Sequence, residues 1–279
     1  MENQTVVADI LILEGLKVSP QSSIPAFIFL LLTFIFIIVS NIGLVVLITM
    51  ERSLHQPMYL LLCNMTLNDV FGATAVIPHV LRDLLLSDSE RYIHYMDCVV
   101  QAFCVHVYAG ASHTVLMIMA FDRYVAICLS VAAWGTVFVL VVILLGLSVR
   151  LSRCRSFIFN LFCDNASLFK LSCESVLINN IYGLTYTVVL QGSFICSVTL
   201  TYLKIAVVCI RSKSKVLNSK ALQTCATHLA VYLILLALSD HRKVASVLGH
   251  VVLPALNAVI YGLQIKEIRQ RIILPLSPL

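Results

Sequence analysis

Charge is what this sequence has least of. Only 12% of its 279 residues are Asp, Glu, Lys or Arg, while 60% are hydrophobic; an ordinary soluble domain carries about 25% charged residues. No soluble core of this length hides so much apolar surface, so lipid or other helices must surround most side chains. The formal charge of +5 is too dispersed for a nucleic-acid footprint, and no Lys/Arg run alternates with stacking aromatics. A Gly-rich phosphate loop, zinc-ligand spacing and a Ser/His/Asp arrangement in a credible context are all missing, which leaves an enzyme reading without support. There is no low-complexity stretch, and no inverted repeat or set of broken helices of the kind transporters use. The first 23 residues lack the basic start and long apolar core of a cleaved signal peptide and carry Glu2, Asp9 and Glu14. The first hydrophobic helix is therefore expected to act as its own insertion signal.

What is present is a series of apolar runs cut by charged or Pro/Asn clusters. They predict spans over residues 24–50, 58–81 (extensible to 86), 99–120, 131–149, 181–210, 221–238 and 244–263. A membrane helix needs roughly 20 apolar residues to cross about 30 Å of hydrocarbon, so the sixth run, residues 221–238, is marginal. The expected fold class is all-α, a polytopic seven-helix bundle with a short sixth helix. Residues 1–23 form a tail, 24–263 the transmembrane domain and 264–279 a second tail.

Orientation follows from Lys and Arg in short loops. The connector after the fifth span holds Lys204, Arg211, Lys213, Lys215 and Lys220 with no acid, and the C-terminal tail holds Lys266, Arg269 and Arg271 against Glu267. The N-terminal tail holds three acids against Lys17. This predicts a multi-pass protein of the cell membrane with its N-terminus outside and its C-terminus in the cytoplasm. Arg150, Arg153, Arg155 and Lys170 argue weakly the other way, in a loop long enough for the rule to weaken. Of ten cysteines, Cys98, Cys154, Cys163 and Cys173 fall in predicted outside segments, where disulfides form; four cysteines allow three pairings. The other six read as packing residues. Sequons begin at Asn3, Asn64 and Asn165. Asn3 is the expected glycosylation site, Asn165 a weaker candidate, and Asn64 lies inside the second span.

Four strings then recur in order. They are Leu54-His55-Gln56-Pro57-Met58-Tyr59, Met119-Ala120-Phe121-Asp122-Arg123-Tyr124-Val125-Ala126-Ile127-Cys128, Lys220-Ala221-Leu222-Gln223-Thr224-Cys225-Ala226-Thr227-His228-Leu229, and Pro254-Ala255-Leu256-Asn257-Ala258-Val259-Ile260-Tyr261. Across almost the whole chain they resemble the odorant (olfactory) receptors, rhodopsin-like seven-helix receptors that signal through a G protein. Phe121 and the style of the outer loops lean toward the branch abundant in fish.

The resemblance implies a function: a small odorant binds within the bundle and activates a heterotrimeric G protein, of the olfactory stimulatory type that raises cyclic AMP. It implies a switch at Asp122, Arg123, Tyr124, Tyr202, Asn257 and Tyr261. Asp122-Arg123 is also a charged pair at the inner end of an apolar helix, where charge is costly and usually functional. A lone carboxylate in mid-span, Asp69 must be paired, protonated or hydrated. The resemblance makes it a sodium site with Ser112 and Asn257 as partners, and Ser112 stands where many members have an acid; a protonated Asp69 bonded to helix neighbours is the alternative. The resemblance pairs Cys98 with Cys163 and Cys154 with Cys173, which would fix a lid over the ligand. It places ligand contacts at Val105, His106, Ala109, Gly110, Tyr182 and Tyr186. A partly protonated His106 could meet an acidic odorant; an interhelical hydrogen bond is the alternative. Tyr182 and Tyr186, one turn apart, share a face and serve packing equally well.

Two stretches depart from the resemblance. No proline-containing inner loop separates Cys128 from Val131-Ala132-Ala133-Trp134, although antiparallel helices need a connection of about 2–8 residues. The last turn of the third span, Asp122-Arg123 included, is expected to unwind to make the turn. The sixth span breaks off at Ser239-Asp240-His241-Arg242-Lys243 without its outer half. Ala258 replaces a family proline, and residues 274–279 do not resemble a family tail. The alternative function is therefore a truncated, non-signalling, receptor-like membrane protein.

Overall fold

The structure is a computed structural model, and it describes residues 9–87, 90–120, 126–211 and 248–264. The predicted sixth span, the connector before it and the C-terminal tail lie outside the described residues.

Five long helices run back and forth: α1 (Pro20–Met50), α2 (Pro57–Leu85), α3 (Tyr95–Ala120), α4 (Ala126–Val149) and, after a short α5 (Asn165–Phe169), α6 (Leu177–Arg211). The last described element is a π turn, Leu248–Val252, leading into α7 (Leu253–Gln264). α1 and α2 each open with proline in the first turn, where its missing N–H costs nothing. Five helices among the described residues are long and apolar enough to cross a membrane. Their surface is the reverse of a soluble protein's: Phe29, Leu32 and Val39 on α1 and Leu184, Val188 and Val189 on α6 face outward, while Asn41, Asn68 and Asp69 are fully buried. Hydrocarbon accepts such a face; water does not.

One end of the bundle carries a three-stranded sheet that the sequence reading did not foresee. Its strands are β1 (Ile10–Leu13), β2 (Tyr92–His94) and β3 (Phe157–Ile158), with β1 in the centre. β1 runs antiparallel to β2, pairing Leu11 with Ile93, and parallel to β3, pairing Leu13 with Ile158. Its alternation is that of a half-buried strand: Leu11 and Leu13 are buried and Ile10 and Ile12 exposed. The buried pair joins Ile93, Ile158, Leu168 and Leu171 in a cluster over the helix ends. Arg91 fastens the edge, its guanidinium donating to the carbonyls of Asp83, Glu14 and Leu86. Gly15, at φ +63°, lies so close to it that a Cβ would stand 2.9 Å from the Arg91 Cδ. The N-terminal stretch read as a tail is thus, from Ile10, part of the folded end.

Three boundaries also shift. α6 begins at Leu177, four residues before the predicted span, with Asn179 buried and bonded inside the bundle. The third helix opens at Tyr95, four residues before the predicted span, and the fourth at Ala126, five residues before its predicted start at 131.

Candidate functional site

Two polar constructions tie the helices together. The first is a seam in mid-bundle. Asp69 on α2 is fully buried, and its Oδ2 accepts from Asn257 Nδ2 on α7 at 3.0 Å. Its other oxygen, Oδ1, has no protein partner among the described residues. Ser112 does not complete this pair: its Oγ accepts from Asn68 Nδ2 at 2.8 Å and donates to the Tyr108 carbonyl at 2.8 Å. Asn68 Nδ2 also reaches that carbonyl at 3.2 Å, so α2 meets α3 through Asn68 and meets α7 through its neighbour Asp69. Asn41 on α1 donates to the Pro254 carbonyl at 3.4 Å. The Tyr108 hydroxyl donates to the Gly249 carbonyl in the π turn at 3.2 Å, and the Tyr108 ring lies directly where a Cβ on Gly72 would stand. Asn41, Asn68, Gly72 and Tyr108 escaped the sequence reading. Asn41 and Asn68 carry the same signal as Asp69, a polar side chain within an apolar run.

The second construction lies under the sheet. Cys98 at the start of α3 is bonded to Cys163, with Cα atoms 5.3 Å apart, and Cys154 to Cys173, with Cα atoms 5.9 Å apart. Gln101, one turn below Cys98, accepts from the Cys163 N–H at 2.8 Å and donates to the Ala75 carbonyl at 3.0 Å. His106 Nε2 accepts from the Asn165 N–H at 3.1 Å. Asn165 Oδ1 accepts from Ser148 Oγ on α4 at 2.6 Å, and Ser148 Oγ accepts from Asn179 Nδ2 on α6 at 3.0 Å. Asn165, Ser148 and Asn179 are all buried. The loop between α4 and α6 is thereby joined to three helices. Outside the helices, Glu174 accepts from the Ser152 hydroxyl and backbone N–H, which holds its carboxyl below the usual glutamate range.

The residues expected to touch ligand sit below this loop. Val105 is buried against Leu161, Phe162 and Val251. The Tyr186 hydroxyl reaches the His106 carbonyl at 3.5 Å, and the Tyr182 hydroxyl the Leu140 carbonyl at 3.3 Å. Ala109 is half-buried, and its carbonyl accepts from His113 Nδ1 at 2.6 Å. Gly110 lets α4 and α6 approach: a Cβ there would stand 2.7 Å from Val137 Cγ1 and 2.8 Å from the Tyr186 hydroxyl. Between α2 and α3, an open cleft of about 310 Å³ is lined by Thr74, Pro78, His79, Asp97, Val100 and Gln101 among others.

Of the switch residues, Asp122, Arg123 and Tyr124 lie outside the described residues, as do the side chains of Tyr202 on α6 and Tyr261 on α7. Asn3 also lies outside them. Asn165 is 4% exposed with its amide held by Ser148, so the folded loop offers no acceptor there. Asn64 accepts from Trp134 Nε1 at 3.2 Å inside the bundle.

The family model described as "Olfactory receptor" matches residues 30–277. The chain belongs to the olfactory receptor family. Among curated relatives, human olfactory receptor 5B12 is 32% identical over 300 aligned residues, covering 96% of this chain and 94% of that protein. Human olfactory receptor 52P1 is 32% identical over 85% of this chain and 83% of its own. Chicken olfactory receptor-like protein COR4 is 30% identical over 92% of each. Since 96% of 279 residues is about 268, roughly 30 of the 300 positions aligned with 5B12 have no residue of this chain opposite them. Members of this olfactory receptor family are receptors rather than enzymes, and the chain is a multi-pass membrane protein of that kind.

Proposed function

We propose that the chain is an odorant receptor whose small ligand binds among the third, fifth, sixth and seventh spans. Binding biases a two-state bundle toward a form that engages a G protein of the olfactory stimulatory type and raises cyclic AMP. The observation that carries this reading is the strip from Val105 to Gly110 on α3, seated beneath a loop fastened by two disulfides and facing Tyr186 on α6. The sheet end faces outward in this reading. Its four bridged cysteines suit an oxidising compartment, and the basic connector containing Lys213, Lys215 and Lys220 suits the cytoplasm. Arg123 then stands on the G-protein side with Asp122 and Tyr124, and Tyr202, Asn257 and Tyr261 complete the switch. Asn3 is the glycosylation site.

Asp69 is the proposed centre of a sodium site. Sodium prefers oxygen ligands, and Asp69 keeps one oxygen without a protein partner among the described residues while Asn257 holds the other. Bound there, the ion would supply the charge that a buried carboxylate lacks.

The second reading, a receptor-like membrane protein without signalling, has its own support. Only residues 121–125 separate α3 from α4, and the missing positions would remove a G-protein contact surface and the outer half of the sixth span. An odorant panel with a cyclic AMP readout decides between the two. The receptor reading expects a response in the chain as given and its loss in Arg123→Ala. An unchanged response in that variant overturns the role of Arg123. Silence across the panel, in a chain that reaches the cell surface, favours the second reading.

A further inference from the structure

We propose that His106 is a positioning residue that latches the long loop onto α3, and that protonating its ring releases the loop. The inference rests on the loop geometry alone and holds whichever function the chain performs.

The chemistry follows from one hydrogen bond. A backbone N–H can only donate, so the Asn165 N–H, 3.1 Å from His106 Nε2, requires a lone pair on that nitrogen. The ring proton must then sit on Nδ1, and the imidazole is neutral. A second proton on Nε2 turns the acceptor into a donor facing another donor. The bond is lost, and a buried N–H is left without a partner.

The consequence spreads beyond the pair because Asn165 is a hub. Its side-chain oxygen holds Ser148 on α4, which holds Asn179 on α6. Its backbone opens α5, whose N-terminus is capped by Asp164 bonding the Ser167 N–H at 2.7 Å. Burial is the first influence on the His106 ring, and Asp164, whose carboxylate is engaged by that cap, is the charged group that acts on it. From α6 the ring faces Tyr186, edge-on at 6.3 Å between centroids. α4 contributes the uncharged Ser148, to which Asn179 of α6 is bonded. The disulfide at Cys163 and the Gln101 bond one turn higher do not titrate with the ring. Acidification therefore frees the segment from Asp164 to Lys170 while the loop stays covalently attached.

Amide hydrogen exchange on the purified full chain in lipid nanodiscs, at pH 7.5 and pH 5.5 with intrinsic rates corrected, tests this. In the wild type, protection of amides 164–170 is expected to fall about tenfold at the lower pH, the effect of losing one hydrogen bond of ordinary net strength; amides in α2 serve as the unchanged reference. His106→Gln keeps a carbonyl acceptor that does not titrate, so it should retain the protection at pH 7.5 and abolish its fall. Equal protection of the wild type at both pH values, or an equal fall in His106→Gln, overturns the proposal. Should the variant misfold, nitrogen-15 histidine resonances of the wild type decide: an unprotonated Nε2 at pH 7.5 supports the latch, and a protonated one overturns it.

Discussion

At the sheet end, residues 150–176 connect α4 to α6 through two disulfides, a strand, a short helix and hydrogen bonds to α3 and α4. At the opposite end, α1 turns into α2 over a single 3-10 turn, Arg52–Leu54, and α3 passes to α4 within residues 121–125. The first end is held by bonds that a packing change does not loosen. At the described turn of the second, the holding contacts are Leu54 buried among Leu44, Ile48 and Tyr59, and His55 bonding the Thr49 carbonyl at 3.0 Å. Helices tied covalently at one end and, at the described turn of the other, held by packing and local hydrogen bonds can rearrange at the second end without unfolding. A two-state receptor needs that asymmetry, and here it comes from where the cysteines and the short turns fall in the chain.

The comparison breaks most readily at the disulfides. Cys98→Ser removes a bridge closing a separation of 65 residues, and Cys154→Ser one of 19. Losing a native disulfide typically costs about 2–5 kcal/mol, and the logarithmic dependence on loop length makes the first loss about 1 kcal/mol worse. Thermal unfolding of the two variants in detergent should rank them so; the opposite order would mean that the loop's own bridge holds the end together. Next comes the seam that joins the two ends. Gly72→Ala places a methyl against the Tyr108 ring, and overpacking of this kind costs about 1–3 kcal/mol, read as a lower melting temperature. Asp69→Asn should abolish any rise of melting temperature with sodium over potassium, and a rise that survives would remove the ion from Asp69.

Smaller effects sharpen the contrast. A flexible loop inserted within residues 121–125, between α3 and α4, should change stability by under about 1 kcal/mol, because loop-closure entropy grows slowly with length, and should raise any cyclic AMP response. The smallest change is expected at Glu174, where the lowered pKa sets the sign. Its bonds to Ser152 contribute stability above the ordinary glutamate pKa, and this is lost as pH falls through the lower folded value. Glu174→Gln should remove that acid dependence from the unfolding profile and leave the melting temperature at pH 7 almost unchanged.

Much of this architecture was legible because lipid imposes one strong rule, that a spanning segment is apolar and helical. The runs at 24–50, 58–81 and 131–149 needed nothing else, and Asp69 stood out because it broke the rule. The sheet was illegible for a different reason. Ile10–Leu13 is four apolar residues in a row, and its strand character comes from partners at Tyr92–His94 and Phe157–Ile158, far along the chain. The start of α6 was hidden because Asn179 looks like a loop residue until Ser148 is placed beside it. His106 was visible as a histidine in an apolar helix, yet its partner is a backbone N–H, which no side-chain pattern reveals. Ser112 sat on the expected helix, where it is engaged by Asn68, the neighbour of Asp69.

The proposed orientation puts the sheet end outside the cell and the turn between α1 and α2 inside. Single cysteines introduced at Phe159, on the exposed rim of the loop, and at Arg52, on the exposed turn between α1 and α2, can be probed on intact cells with a membrane-impermeant maleimide. The account predicts labelling at position 159 without permeabilisation and at position 52 only after it. Labelling of position 52 on sealed cells, with position 159 protected, would contradict it.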